Sequence, residues 1–337
     1  MLHTLVSAMQ ARAAVLDEME AFPADDIADL RDAGVLAQAP QDPAALFDLL
    51  RTIGCGNLSV GRLIEAHVNA LLLTDTYAMP DFGTEVRRDA AAGHLFALWV
   101  TDQGEPVRLE NGSLIGRKGP CSGAGHVTRA VITVDTAAGT HLAVIDTAGL
   151  HVMPMRGVLP GMRAAMNGVV TLDGTTATLF GAPGDYLREP LLSVGAWRTS
   201  AVTLGGLDAL VDAARTTLLR RGHDAHPLQQ DRFGRTVIAQ QTARMWAARA
   251  AAEGEDAARP IEDRIMLVNL ARIAVEHACL SAMQDIQRAL GLGAFVRPHP
   301  VERILRDLMV YLRQPAPDAV MTEAGAHWMR APAGSLG

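Results

Sequence analysis

Residues 96–134, FALWVTDQGEPVRLENGSLIGRKGPCSGAGHVTRAVITV, decide how this chain is to be read. The two ends, 96–101 and 127–134, are runs of β-branched and aromatic residues of strand length. Turn signals at Glu110-Asn111-Gly112 and Ser122-Gly123 lie between them. This pattern predicts antiparallel sheet, and the glycine-rich centre reads as a platform for a cofactor. Taken alone, two strands and a glycine-rich loop are also an ordinary hairpin, so the flanking sequence has to decide.

Downstream, from residue 93 to about 189, short apolar runs at 141–145, 150–153 and 168–172 alternate with Gly, Asp and Pro. No ten-residue amphipathic helix interrupts them, and the expectation is a small antiparallel β-barrel or sandwich. Upstream, residues 1–92 are helical in pattern. Leu5, Met9, Val15 and Met19 recur at roughly helical spacing, Phe22-Pro23 breaks the run, and Gly34 closes the next helix. Further helices are predicted over 43–53 and 60–74. Beyond residue 190 the pattern is helical again, over 202–219, 236–253, 261–290 and 301–312, and reads as an antiparallel four-helix bundle. The expected fold class is therefore multi-domain α+β: an N-terminal helical domain (1–92), a middle antiparallel β-barrel domain (93–189) and a C-terminal four-helix bundle (190–330).

Composition sets the outer bounds. The chain of 337 residues, with 49% hydrophobic and 20% charged residues, is long enough for two or three domains. A net charge of −7 and a pI near 5.9 argue against a nucleic-acid partner, which would need a basic face. Cys55, Cys121 and Cys279 are odd in number and far apart, which excludes a disulfide framework and a CxxC site and fits a reducing compartment. The N-terminus lacks a basic region followed by an unbroken apolar core, and no window approaches eighteen uninterrupted apolar residues. The expectation is a cytoplasmic protein without a membrane segment.

Several segments share one resemblance. Leu114-Ile115-Gly116-Arg117-Lys118, followed by Cys121-Ser122-Gly123-Ala124, resembles the Gly-x-Lys-x-aromatic-x-Ser/Thr signature of the acyl-CoA dehydrogenase superfamily of flavoproteins, with Thr101 matching the threonine of its first flavin-contacting strand. Pro120 stands where that signature has its aromatic. Phe233-Gly234 with Gln241 resembles the family's Arg-x-x-Phe-Gly…Gln motif, with Gln230 in the arginine's place. Gln287, Gly291 and Gly293, then Pro300-Val301-Glu302-Arg303 and Arg306-Asp307, resemble its Gln-x-x-Gly-Gly loop and Pro-x-Glu-Arg-x-x-Arg-Asp helix. The order helices, sheet, helices is that family's architecture.

The resemblance implies a flavin, FAD in most of the family, with Thr101 and Ser122 at the polar edge of the ring. It implies that Gln230, Phe233, Gln241, Gln287 and Gly291 form the diphosphate and adenine side. Gln230 can hydrogen-bond a phosphate but brings no charge, which weakens that contact. The substrate so implied is an acyl-CoA or related thioester, and the assembly a homodimer or homotetramer, with pairing to a paralogue as a further option. A nicotinamide domain is not expected, because Val296 breaks the GxGxxG pattern that begins at Gly291.

The chemistry expected of the family meets an obstacle. Its members carry a glutamate either in a turn nine residues past the arginine matched by Arg306, or at a Glu-Arg dipeptide on a bundle helix. Those places here hold Pro315 and Trp197-Arg198. Removal of a thioester α-proton needs a base in an apolar site with its pKa raised toward neutrality. The catalytic residue is therefore unassigned. The leading expectation is an FAD-dependent oxidoreductase acting on the Cα–Cβ bond of an acyl thioester. The alternatives are a flavin monooxygenase on the same scaffold and a non-catalytic subunit.

Three further groups read as structure. His67, among Ala, Val and Leu, is expected to be a hydrogen-bonded core residue. His223 and His226 have HxxH spacing but no third ligand nearby. Glu302, Arg303, Arg306 and Asp307 sit at helical spacing and suit an ion network.

Overall fold

A computed structural model describes residues 2–332. Helices open the chain: α1 (Leu2–Met19), α2 (Ala24–Asp32), α3 (Pro43–Gly56), α4 (Leu58–Tyr77) and α5 (Pro80–Ala91). Strands come next: β1 (Phe96–Trp99), β2 (Arg108–Glu110), β3 (Ser113–Ile115), β4 (Arg117–Cys121), β5 (Arg129–Thr136), β6 (Gly139–Asp146), β7 (His151–Pro154), β8 (Gly168–Thr171) and β9 (Thr178–Phe180). The rest is helical: α6 (Leu191–Val194), α7 (Ala196–Arg220), α8 (Pro227–Gly254), α9 (Ile261–Leu290), α10 (Pro300–Tyr311) and α11 (Pro317–Arg330). Two compact units result. One joins the chain up to Pro40 with Ser59–Arg188, and the other joins Gln41–Leu58 with the chain from Glu189 onward.

In the first unit the sheet region divides in two. The larger sheet has the order β3-β2-β5-β6-β9, with β1 also on β5, and the smaller has the order β4-β8-β7. Among the described residues they do not close into a barrel. Most pairings are antiparallel, as expected, but β1 and β2 both run parallel to β5. They lie end to end along one side of it, Phe96 to Trp99 opposite Arg129 to Ile132 and Arg108 opposite Asp135. Between β1 and β5 the chain forms β2 and β3 in the same sheet and β4 in the second sheet. Ala130, Val131, Ile132 and Val134 of β5 are all fully buried, so this strand is covered on both faces and reads as a continuous apolar run.

His67 of α4 is buried as expected. Its Nε2 lies 2.9 Å from the Leu36 carbonyl, while its Nδ1 accepts the Phe96 N–H at 3.1 Å. Those partners require the neutral ring with the proton on Nε2. Burial pushes its pKa down to about 4.

In the second unit α3 packs with the C-terminal helices. Asp42 caps it by accepting the Ala45 N–H at 2.8 Å, and Pro43 fills its first turn. Gly54 of α3 and Gly205 of α7 let the two backbones touch, since a methyl on either would run into the other helix's main chain. Arg51 and Asp208 pair beside that crossing at 2.6 Å. The helices predicted over 202–219, 236–253, 261–290 and 301–312 are α7 to α10. On α10, Arg306 pairs with Glu302 at 2.7 Å and Arg303 with Asp307 at 3.2 Å, the ion network the spacing suggested. Helix α9 and the turn after it are long and apolar enough to cross a bilayer, yet half of their most apolar eighteen-residue window is buried within the protein.

Candidate functional site

One candidate region, in the first unit, is built around the loop between β1 and β2. An isolated antiparallel bridge joins Asp102 to Lys118 of β4, and Thr101's carbonyl accepts the Gly119 N–H at 3.0 Å. One strand-length away, the Trp99 indole N–H donates to the Ser122 carbonyl at 2.9 Å. Thr101 and Ser122, widely separated in sequence, are thus on neighbouring segments. Thr101 is exposed; Ser122 is half-buried, and its hydroxyl lies 3.1 Å from Asn167 Oδ1.

Beneath this edge lies a pair that sequence reading missed. Lys118 is fully buried, with Nζ 2.6 Å from Asp102 Oδ1 and 2.8 Å from Thr133 Oγ1. Burial pushes its ammonium pKa down, and the hydrogen bond and charge of Asp102 oppose that shift. The motif marks Lys118 without a partner, because nothing in sequence says that residue 102 faces residue 118.

A separate candidate region, in the second unit, gathers at the start of α8 and the end of α9. Gln229 donates to the Ala289 carbonyl at 3.1 Å, Arg232 to Arg288 at 3.2 Å and Arg221 to Leu290 at 3.3 Å. Three side chains therefore cap the last carbonyls of α9, two of them cationic groups at its negative end. This brings Gln230, Phe233, Gln287 and Gly291 to one region. Gln241, farther along α8, lies outside it and is exposed. Gln230 is exposed and donates its amide to the Asp224 carbonyl. Gly291 has φ 59° and ψ −141°, a conformation that glycine alone adopts readily, and open space where a Cβ would stand.

At the two places where the family resembled in sequence is expected to carry a carboxylate, the surroundings are defined. Pro315 lies between α10 and α11, and its carbonyl takes an N–H from Arg272 at 2.5 Å. Trp197 and Arg198 are buried, and both donate to Glu255 Oε1, at 2.7 and 3.3 Å. Glu189 accepts from the Ser193 N–H and hydroxyl, while Asp318 and Glu323 are exposed. Among the described residues no cluster of His, Cys, Asp and Glu is arranged to hold a metal, which covers His223 and His226.

No protein-family profile matches this chain, and no curated protein matches it in sequence. Solved structures do match it over nearly its whole length. Nitrososynthase from Micromonospora carbonacea var. africana has a TM-score of 0.83 at 16% identity, covering 98% of this chain and 95% of its own. Glutaryl-coenzyme A dehydrogenase, in a glutaryl-CoA complex, has a TM-score of 0.81 at 18% identity, covering 97% and 95%. FMN-bound TdsC from Paenibacillus sp. A11-2 has a TM-score of 0.85 at 15% identity, covering 99% and 98%. The chain therefore has the fold of the acyl-CoA dehydrogenase superfamily, helical at both ends with a sheet region between them.

Proposed function

We propose that this chain is a flavin-dependent oxidoreductase that oxygenates its substrate rather than removing hydrogen from an acyl thioester. One observation carries the choice between the two: neither usual position offers a carboxylate, and Glu255, the acid beside Trp197-Arg198, is committed to those two side chains. Its Oε1 already accepts an indole N–H and a guanidinium N–H, so taking a substrate proton there would mean giving up both partners. The neighbours' names support either chemistry, since this fold serves both a dehydrogenase and a nitrososynthase.

A bound flavin supplies two-electron redox chemistry and, once reduced, reactivity toward dioxygen. The residues of the sheet region fit its ring: the exposed Thr101 and the Ser122 segment present polar groups at one edge, and Trp99 fixes that segment through its carbonyl. The α8–α9 region of the second unit fits a diphosphate less well. Gln230 is neutral, and Arg232 and Arg221 already serve the end of α9. FMN, which carries a single phosphate, suits this set better than the FAD that the family resemblance implies. Gln287, Phe233 and Gly291 remain the proposed phosphate-side contacts, and Gln241 the weakest of them. We also propose that the protein assembles at least as a dimer, because Ile238 and Met245 of α8 are 69% and 67% exposed.

The test is the visible spectrum of flavin-loaded protein, followed anaerobically after mixing with saturated acyl-CoAs of several chain lengths. Wild type should bleach slowly or not at all, whereas chemically reduced, loaded protein should consume dioxygen when air is admitted. Rapid and complete bleaching by any acyl-CoA would return the assignment to dehydrogenase.

A further inference from the structure

We infer that Lys118 is a positioning residue for the flavin ring, fixing the loop that carries Thr101; the inference rests on the flavin reading above. Its Nζ reaches Asp102 Oδ1 at 2.6 Å and Thr133 Oγ1 at 2.8 Å. Asp102 Oδ1 also accepts the Val107 N–H at 3.0 Å, and the Thr133 hydroxyl donates to the Val100 carbonyl at 3.2 Å. Residues 100, 102 and 107 are thereby tied to one cation on β4 and one hydroxyl on β5. They flank Thr101 on both sides and include the far end of its loop. The adjacent Gly119 N–H holds Thr101's own carbonyl.

The energetics point away from a role in stability alone. A fully buried ammonium loses its hydration, and an apolar side chain of similar volume would fill the same space without that cost. The charge contributes direction instead. A methionine at this position would pack but would leave Asp102 and Thr133 without a shared donor, so the loop could settle in more than one arrangement. Asp102 is partly exposed and can be hydrated when the cation is removed, so a charge-deleting variant retains a route to folding.

The test compares wild type, Lys118→Met, Thr133→Val and, as a control, Ile132→Ala, which deletes buried volume on β5 outside the network. Each is titrated with FMN and with FAD, and the bound flavin's absorption spectrum and midpoint potential are recorded alongside the melting temperature. Lys118→Met should weaken flavin binding about tenfold, the worth of one charge-assisted hydrogen bond, and shift the bound spectrum toward that of free flavin. Thr133→Val should move both in the same direction by less. Ile132→Ala should lower the melting temperature and leave affinity and spectrum unchanged. If Lys118→Met matches wild type in affinity, spectrum and potential, or if Ile132→Ala shifts them as much, the positioning role is overturned and the flavin reading stands. Wild type that binds neither flavin overturns both. Should Lys118→Met fail to fold, Thr133→Val decides, and an unchanged spectrum and affinity there also overturn the role.

Discussion

The side-chain amide of Gln230 donates to the backbone carbonyl of Asp224 at 2.8 Å, closing the turn before α8 with a group that related motifs reserve for a phosphate. The residue is neutral and partly occupied at once. Gln230→Arg should therefore raise FAD affinity by about 1 kcal/mol or somewhat more, through a charge-assisted contact to the diphosphate. FMN affinity should change less. Parallel fluorescence titrations with the two flavins check this, and equal gains for both would show that residue 230 lies away from the diphosphate.

The C-terminal end of α9 should be sensitive to the residues that cap it. Gly291→Ala places a side chain at φ 59°, ψ −141°, which costs on the order of 1–3 kcal/mol in strain even though the space is open. Arg232→Ala, which removes one carbonyl partner at an exposed site, should cost about 0.5–1 kcal/mol. Urea unfolding midpoints of the two variants should fall in that order.

Much of the fold was legible because punctuation and periodicity agreed. Helix α9 begins after Pro260 and ends before Gly291, and its expected and observed limits coincide. Helices α5 and α11 lie within the expected helical domains but were not read as separate elements. Only Val86 and Ala90 of α5, and only Ala324 of α11, are buried, which leaves almost no apolar stripe to read. Strands β1, β5, β6, β7 and β8 fall on the expected apolar runs, whereas the short β2, β3, β4 and β9 were not foreseen, nor was the parallel pairing of β1 with β5, since alternation along a strand carries no information about its partner. The same limit applied at the site. Thr101, Ser122 and Gly291 could be marked by residue type, whereas the Asp102–Lys118 pair and the capping of α9 by Arg221, Gln229 and Arg232 depend on which segments meet.

Stability should depend on His67 between about pH 6.5 and 4. Burial holds its folded pKa at about 4 against an ordinary value of 6.5, so in that window the unfolded chain takes up a proton that the folded ring refuses. Its contribution is fully present above pH 6.5 and is lost as pH falls to about 4, amounting to roughly 3 kcal/mol. Urea midpoints measured across the window should show a slope that His67→Asn reduces. An unchanged slope would assign the acid sensitivity to other groups.

The three thiols should be slow to react in the folded protein. Burial raises Cys55 to about 11 and Cys121 to about 12, and it raises Cys279 as well. At pH 8 a chromogenic disulfide should label native protein slowly, and denaturant should release all three. A fast first equivalent in native protein would locate an opening motion at Cys55, the only one of the three not fully buried.

Helix α3 also has consequences for how the protein is made. It ends at Gly56, while α7, whose backbone it touches through Gly54 and Gly205, begins at Ala196. Synthesis therefore delivers Leu50 and Ile53, both buried in the finished unit, long before the surface that covers them exists. A nascent or truncated chain that stops short of α7 carries an uncovered apolar helix and invites chaperone capture or aggregation. No single cut separates the two units, because each is assembled from two segments that alternate along the chain. A genetic rearrangement that moves 41–58 to the front of the segment starting at 189 would place α3 and α7 in one continuous chain.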